Sequence, residues 1–253
     1  MKQYQHNKKY TVRFLAALLA VVIVFGVVGT AIARDIPFFL PYPRIDTRDW
    51  YISDGWTNGV HQSCEWRADE LSAVHGNLQL KLSDKGGKVR PIGCAEIHTN
   101  ARTGYGRYEA RMRTAAGAGL NTAFFTYVGP PGGVPEHDEI DFEFIGSAPT
   151  TVDLTVWTND KSNGGAKRIE LGFDTSKDFH NYAFEWRPDS VRWYADDKLI
   201  YETPKGAPIP RNPGSTFFSL WSGSSIEDPW MGHFVYTAPV TAEVAWTKFT
   251  PYP

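Results

Sequence analysis

The chain has 253 residues, 42% of them hydrophobic and 21% charged, the composition of a globular protein that can bury a core. Lys and Arg number 26 against 28 Asp and Glu, a net charge of −2, and no basic face gathers after residue 34. The balance argues against a nucleic-acid partner.

At the N-terminus, Lys2, Lys8, Lys9 and Arg13 precede the uncharged run Phe14–Ala33, which ends "TAIA" before Arg34. Basic flank, apolar run and small-x-small ending read as a secretory signal peptide cut after Ala33. The run is also just long enough to cross a bilayer, so an uncleaved anchor is the alternative for residues 1–33, and membrane contact is expected only through residues 14–33. Either way residues 34–253 lie outside the cytoplasm, because the basic flank stays inside. In such a compartment the two cysteines, Cys64 and Cys94, read as a disulfide.

Residues 34–45 form a linker or arm, since the three prolines of "PFFLPYPR" forbid a helix. From residue 46 to 253 the pattern is period-2 alternation broken by Gly, Pro, Asn and Asp. "NLQLKLS", "GRYEARMRT", "NTAFFTYVG", "VDLTVWT", "HNYAFEWRP", "VRWYADDKLIYET", "TFFSLWSG" and "AEVAWTKF" follow one another in this style. Such spacing predicts one all-β domain, an antiparallel β-sandwich of the jelly-roll kind.

One strand stands apart. "HDEIDFEF" places Asp138, Glu139, Asp141 and Glu143 among bulky apolar residues. Alternation sends Glu139, Asp141 and Glu143 to one face with His137, and Ile140, Phe142 and Phe144 to the other, into the core. Asp138 is expected to cap the strand start. Like charges side by side on a strand are mildly destabilising, so a plain solvated face would mix in Lys or Thr. Glycoside hydrolysis uses such a set: two carboxyls about 5–5.5 Å apart, one nucleophile and one acid/base, with proximity raising one pKa. Glu139 and Glu143 lie about 13 Å apart along a flat strand, so the mechanism requires a curved sheet, hollow on the acidic side. Residue pattern alone does not order the pair.

A sugar cleft also needs aromatic platforms. Parity places Phe125 with Tyr127, puts Trp157 on the polar side of its strand with Asp153 and Thr155, and puts Trp221 beside Ser219; Trp230 follows in "EDPWMG". Trp186 and Trp193 sit on apolar sides and read as core. Seven scattered histidines without an HExxH spacing give a catalytic metal site weak support, and no Gly-x-Ser-x-Gly elbow or phosphate loop occurs, so serine and nucleotide chemistries fit poorly.

"HDEIDFEFIG" resembles the active-site strand of family-16 glycoside hydrolases, which include bacterial β-1,3-1,4-glucanases (lichenases), exopolysaccharide-processing endo-glycanases and xyloglucan transglycosylases. "DGWTNG", "CEWRADEL", "CAEIHT", "TGYGRYEARMR" and "FFSLWSG…DPWMG" extend the resemblance over about Trp50 to Phe249. It implies a curved jelly roll whose concave face is the substrate cleft. It also implies Glu139 as nucleophile, Glu143 as acid/base and Asp141 as helper. Asn58, Glu96, Phe125, Tyr127, Trp157, Trp221 and Trp230 fall at substrate-contact positions. His137 stands where lichenases carry Trp, as in the exopolysaccharide- and xyloglucan-active members. His98, Thr155 and Ser219 replace an Arg and two Asn, which should change the sugar hydroxyls read. Ala245 occupies the place of an acidic residue near the lichenase calcium, giving that cation little support; no cofactor is expected. The implied activity is a retaining endo-β-glucanase, monomeric, acting on β-1,3-1,4-glucan or a related bacterial exopolysaccharide. A transglycosylase, or a non-catalytic polysaccharide-binding jelly roll, are the alternatives.

Overall fold

In the computed structural model of the protein, residues 38–41, 44–130 and 137–252 are described, all within the compact unit Ala31–Pro253. The expectations for residues 1–33 lie outside the described residues, among which no helix is long and apolar enough to cross a membrane.

The strands in chain order are β1 (Phe38–Pro41), β2 (Trp50–Ile52), β3 (Cys64–Trp66), β4 (Leu71–Val74), β5 (Asn77–Leu82) and β6 (Ile92–Thr99). There follow β7 (Gly106–Arg113), β8 (Leu120–Val128), β9 (Asp138–Ile145), β10 (Thr151–Thr158), β11 (Lys161–Ser162) and β12 (Lys167–Glu170). The last five are β13 (His180–Trp186), β14 (Val191–Ala195), β15 (Lys198–Glu202), β16 (Ser215–Ser222) and β17 (Val240–Pro251). The only α-helical turn among the described residues is α1 (Asp228–Met231).

Two sheets result. One runs β15-β14-β13-β7-β17-β5-β4, with β1 alongside β17; the other runs β11-β10-β9-β8-β16-β6-β2, with β12 on β10 and β3 on β6. Pairing is antiparallel throughout except between β3 and β6. The expected antiparallel jelly-roll sandwich is what the chain forms, and part of the expected arm, Phe38–Pro41, is itself a strand paired with β17.

Alternation decides what fills the space between the sheets. Phe142 of β9 stacks on Phe124 of β8 (centroids 6.0 Å apart, planes 5° apart), and Phe124 stacks on Phe218 of β16 (5.1 Å, 8°). Phe184, Tyr182 and Trp193 of the facing sheet close over this row, all buried. Trp186 and Trp193 are core, as their parity predicts. The indole N–H of Trp193 donates to the carbonyl of Asp141 (3.0 Å), so the facing sheet is tied to the middle of β9. Burial of these rings fixes the register of β9, and a one-residue slip would turn its acids into the core.

Cys64 and Cys94 form the expected disulfide, joining β3 to β6 across 30 residues with Cα atoms 5.8 Å apart. Beside it the buried Glu65 accepts from the backbone N–H groups of Val89 and Arg90 and holds the intervening loop. Replacing both cysteines by Ser should lower the unfolding free energy by about 3–4 kcal/mol, the chain-entropy value for a loop of this length. Urea denaturation checks this; an unchanged midpoint would mean that the bridge constrains little of the unfolded chain.

Candidate active site

The site is built from cross-strand rows on the outer face of the second sheet. In one row Trp157 (β10), Glu139 (β9), Tyr127 (β8) and Ser215 (β16) stand side by side. In the next come Thr155, Asp141, Phe125, Phe217, His98 and Tyr51. In the third come Arg168 (β12), Asp153, Glu143, Ala123, Ser219 and Glu96. Each strand thus contributes every second residue to one face, and the three acids of β9 sit one to a row.

A cavity of about 630 Å³ opens on this face. Glu139, Asp141 and Glu143 line it together, with Glu96, Phe125, Tyr127 and Trp221, and with Asn58 from the loop before β3. Small residues at Ala123 and Ser219 leave the hollow opposite Glu143. The second row supplies a floor of stacked rings: Tyr51 on His98 (4.8 Å), His98 on Phe217 (4.4 Å) and Phe217 on Phe125 (4.8 Å). Burial holds His98 below the ordinary histidine range, so its ring joins this stack as a neutral imidazole.

Three expected contact residues flank the cavity rather than line it. His137 packs its ring against Trp157 (5.0 Å) and Tyr127 (5.7 Å), and its Nε2 lies 3.6 Å from Glu139 Oε2. Its Nδ1 is paired with Asp160 at 2.9 Å. This closeness requires Gly129, where a Cβ would stand 2.5 Å from the His137 Cβ and from the Tyr127 hydroxyl. Trp230 of α1 lies 6.4 Å from Trp221 and donates its indole N–H to Asp153.

The three carboxyls have unlike surroundings. Asp141 is buried (4% exposed), whereas Glu139 and Glu143 retain partial exposure. Burial raises all three above the ordinary carboxyl range. The charge of Glu143 adds to the rise at Glu139, and a hydrogen bond from Asp141 opposes it. Asp141 is raised well above the ordinary carboxyl range by burial first, then by both glutamates and by its hydrogen bond with Glu139. Glu143 accepts from the Asn121 side-chain amide (3.0 Å), which works against burial, while Asp153 and Glu227 push it upward. Glu96 is pushed up to about 7 by burial, against the hydrogen bond that it accepts from Ser53. The hollow is therefore far less anionic than its acid content suggests.

Asp138 differs from its expected role. Its carboxylate does not cap its own strand but reaches into neighbouring loops, accepting from the backbone of Asn159 (3.0 Å) and from Arg211, Asn212 and the Asn212 amide (3.0, 3.1 and 3.0 Å). Sequence parity placed it away from the acidic face, but its partners lie far along the chain and left no local signal. Asn121, Asp153 and Asp160 were missed for the same reason. In β17 the side chain of Ala245 offers a cation no oxygen, and no group of three or more His, Cys, Asp or Glu that could hold a metal ion occurs among the described residues.

Comparison with known proteins agrees with this geometry. The family model described as Glycosyl hydrolases family 16 matches residues 58–247. The chain is 41% identical over 209 residues to the endo-1,3-1,4-beta-glycanase ExoK of Rhizobium meliloti (strain 1021), covering 83% of this chain and 77% of that protein. It is 36% identical over 228 residues to a beta-glucanase of Bacillus subtilis (strain 168), covering 89% and 91%. Among solved structures, a prokaryotic beta-1,3-1,4-glucanase (lichenase) from a mouse hindgut metagenome superposes with a TM-score of 0.81 at 35% identity, covering 85% of this chain and 99% of that one. The Bacillus licheniformis beta-glucanase gives 0.79 at 34% identity, covering 85% and 98%.

Replacing Asp138 by Ala takes the acceptor from three partly buried backbone N–H groups and should cost about 1–3 kcal/mol of unfolding free energy. The Asn variant, which keeps an acceptor oxygen, should lose less. Chemical denaturation of both measures this, and equal stabilities for wild type and the Ala variant would refute the clamp.

Proposed function

The chain belongs to family 16 of the glycosyl hydrolases, and on that premise we propose that it is a retaining endo-β-glucanase, hydrolysing internal bonds of β-1,3-1,4-glucan or of a bacterial exopolysaccharide of related linkage. What supports the role assignment is the unlike surroundings of the two glutamates on one strand face: Asp141 next to Glu139 favours its carboxylate form, whereas Glu143 accepts from the neutral amide of Asn121.

Each glutamate then takes the task that its surroundings favour. Burial and the charge of Glu143 raise the pKa of Glu139 to about 8, higher than that of Glu143 at about 7, so the hydrogen bond from Asp141, which acts in the opposite direction, is what Glu139 relies on to attack the anomeric carbon as a carboxylate. Glu143, between the charges of Asp153 and Glu227, keeps its proton and delivers it to the departing glycosidic oxygen as that C–O bond breaks. An ester joins the sugar to Glu139. Glu143, now a carboxylate, takes a proton from an incoming water whose oxygen attacks the same carbon. The ester opens, the configuration is retained, Glu139 is free and Glu143 is again protonated. The rings running from Phe125 to Tyr51, packed against one another, give the cleft an apolar floor of ring edges, and Trp221 lines the cavity beside the acids. A disulfide-bearing domain behind a basic, apolar N-terminal segment supports action outside the cytoplasm.

Glu139→Ala and Glu143→Gln should each cut hydrolysis of barley β-glucan by at least ~10³-fold while leaving the thermal unfolding transition in place. Reducing-end assays on a panel of β-glucans and acidic exopolysaccharide read the loss and name the substrate. Near-full activity of either variant on a polymer that the wild type cleaves would overturn the assignment. For the wild type, kcat/KM should decline on the alkaline side as Glu143 loses its proton, at a pH above the ordinary glutamate range because its carboxyl titrates upward in the fold. A profile still rising well beyond neutral pH would contradict Glu143 as the acid.

A further inference from the structure

Beside Glu143, on the far side from the hollow, lies a second carboxylate that enters the mechanism above only as a nearby charge and whose own anchoring has not been used. Asp153 is 2% exposed, and β10 sets it directly opposite Glu143 in the strand register. Its oxygens accept from Arg168 Nε and Nη2, both at 2.8 Å, and from the indole N–H of Trp230 at 2.8 Å. Arg168 is brought there by β12, which pairs with β10 at this residue; its side chain is 47% exposed.

We propose that Asp153 is a positioning residue for the acid end of the cleft: clamped by Arg168 and Trp230, it fixes the Trp230 ring beside Trp221 and sets a buried negative charge next to Glu143 that favours the protonated form of that carboxyl. This rests on the reading of Glu143 as the proton donor. The three bonds to Asp153 are of two kinds, and they do different things. The bidentate guanidinium holds both oxygens in one plane and stops the carboxylate from turning toward solvent. The indole bond carries that fixed orientation to α1, a single turn too short to hold Trp230 by its own helix geometry. The charges do not cancel at Glu143. Arg168 meets solvent, which screens its field, whereas Asp153 is buried and its field is screened much less. The acid therefore feels a net negative neighbour.

The other groups around Glu143 do not duplicate this effect. On β8 it meets Asn121 and Ala123, both uncharged, and beyond them β16 continues the rows with the uncharged Trp221 and Ser219. Asp141, on its own strand, holds a proton. Glu139 is the attacking carboxylate, and its charge disappears once the ester forms. Glu227 contributes from the turn Ser225–Glu227, but its Oε1 is paired at 2.5 Å with His61. Glu96, buried three places further along the same row on β6, is separated from Glu143 by Ala123 and Ser219, which leaves Asp153 as the buried carboxylate next to the acid that does not enter the reaction.

The test is the pH profile of kcat/KM on barley β-glucan for Asp153→Asn, Asp153→Leu and Arg168→Gln. Asp153→Asn removes the charge and keeps an oxygen for Trp230; its alkaline limb should move to lower pH by on the order of one unit, with KM little changed. Asp153→Leu should move the limb equally and raise KM severalfold, because the indole is released. Arg168→Gln leaves the buried charge less balanced, and its limb should move the opposite way, to higher pH. A structural role alone would not shift the limb in two directions. Limbs at the wild-type position in both Asp153→Asn and Arg168→Gln overturn the proposal, and if the Asp153 variants fail to fold, an unmoved limb in Arg168→Gln, at a half-exposed residue, overturns it alone. Glu143→Gln separates this from the parent reading: a hydrolytically active Glu143→Gln enzyme refutes Glu143 as the acid, whereas an inactive one with unmoved limbs in the other variants refutes only the role of Asp153.

Discussion

Everything in this protein's site follows from placing three carboxyls on one face of a single strand and then surrounding them with protein. In water such a row would repel and disperse. Here β9 cannot disperse it, because Ile140, Phe142 and Phe144 are locked into the core on the other face. The remaining freedom is the proton. Burial and mutual repulsion retain protons that exposed carboxyls would have lost, and the hydrogen bonds decide where those protons sit. The core thus sets the chemistry of the cleft: the same rings that fix the register of β9 oblige Glu139, Asp141 and Glu143 to share fewer charges than they have groups.

The sandwich serves this arrangement through its rows. Because β8, β9, β10 and β16 pair antiparallel in unbroken register, a residue type on one strand meets a defined partner on the next. The row through Asp141 continues as rings, the row through Glu143 as small or acidic side chains, and the row through Glu139 as Tyr127 and Trp157. Ring bed, hollow and flank are therefore not separate loops that happen to converge but consequences of one ladder read crosswise. Loops then close the ends: the segment with Asn58 and His61 on one side, and the turn with Glu227 and Trp230 on the other, joined by the pair His61–Glu227.

What the sequence made legible is what period-2 alternation encodes. The strands, the inward Phe row, the outward acid triplet, the core positions of Trp186 and Trp193, and the polar-side positions of Trp157 and Trp221 all follow from parity. The resemblance to family 16 added the order of the two glutamates, which the strand pattern leaves symmetric. Partners separated by long stretches of chain stayed invisible. Asp138 looked like a local cap, but its acceptors serve Arg211 and Asn212. Asp153 looked like one more polar residue beside Trp157, with nothing in "VDLTVWT" to announce that Arg168 and Trp230 would converge on it. Asp160, which fixes the His137 ring, was likewise a plain turn residue. Side-chain hydrogen bonds of this kind depend on register between strands, and a single sequence without an alignment does not give register.

Asp138 and Asp153 also explain the acid surplus around the hollow. Asp138 and Glu139 are adjacent on β9 and point to opposite faces, and Asp153 and Glu143 are opposed across the ladder, so each glutamate of the pair has an aspartate as its neighbour. Both aspartates are consumed by N–H donors, four at Asp138 and three at Asp153. Their effects on the glutamates differ because of direction. The Asp138 carboxylate lies on the face away from the acid triplet, and its lone pairs are taken up by three backbone N–H groups and the Asn212 amide, so its part is to tie the start of the strand to the neighbouring loops. The Asp153 carboxylate shares the face of Glu143 and keeps only a solvent-screened counterion, so its charge reaches the neighbouring carboxyl. One aspartate anchors the strand at the nucleophile end; the other biases protonation at the acid end. This asymmetry of second neighbours assigns different tasks to two glutamates that the strand itself presents alike.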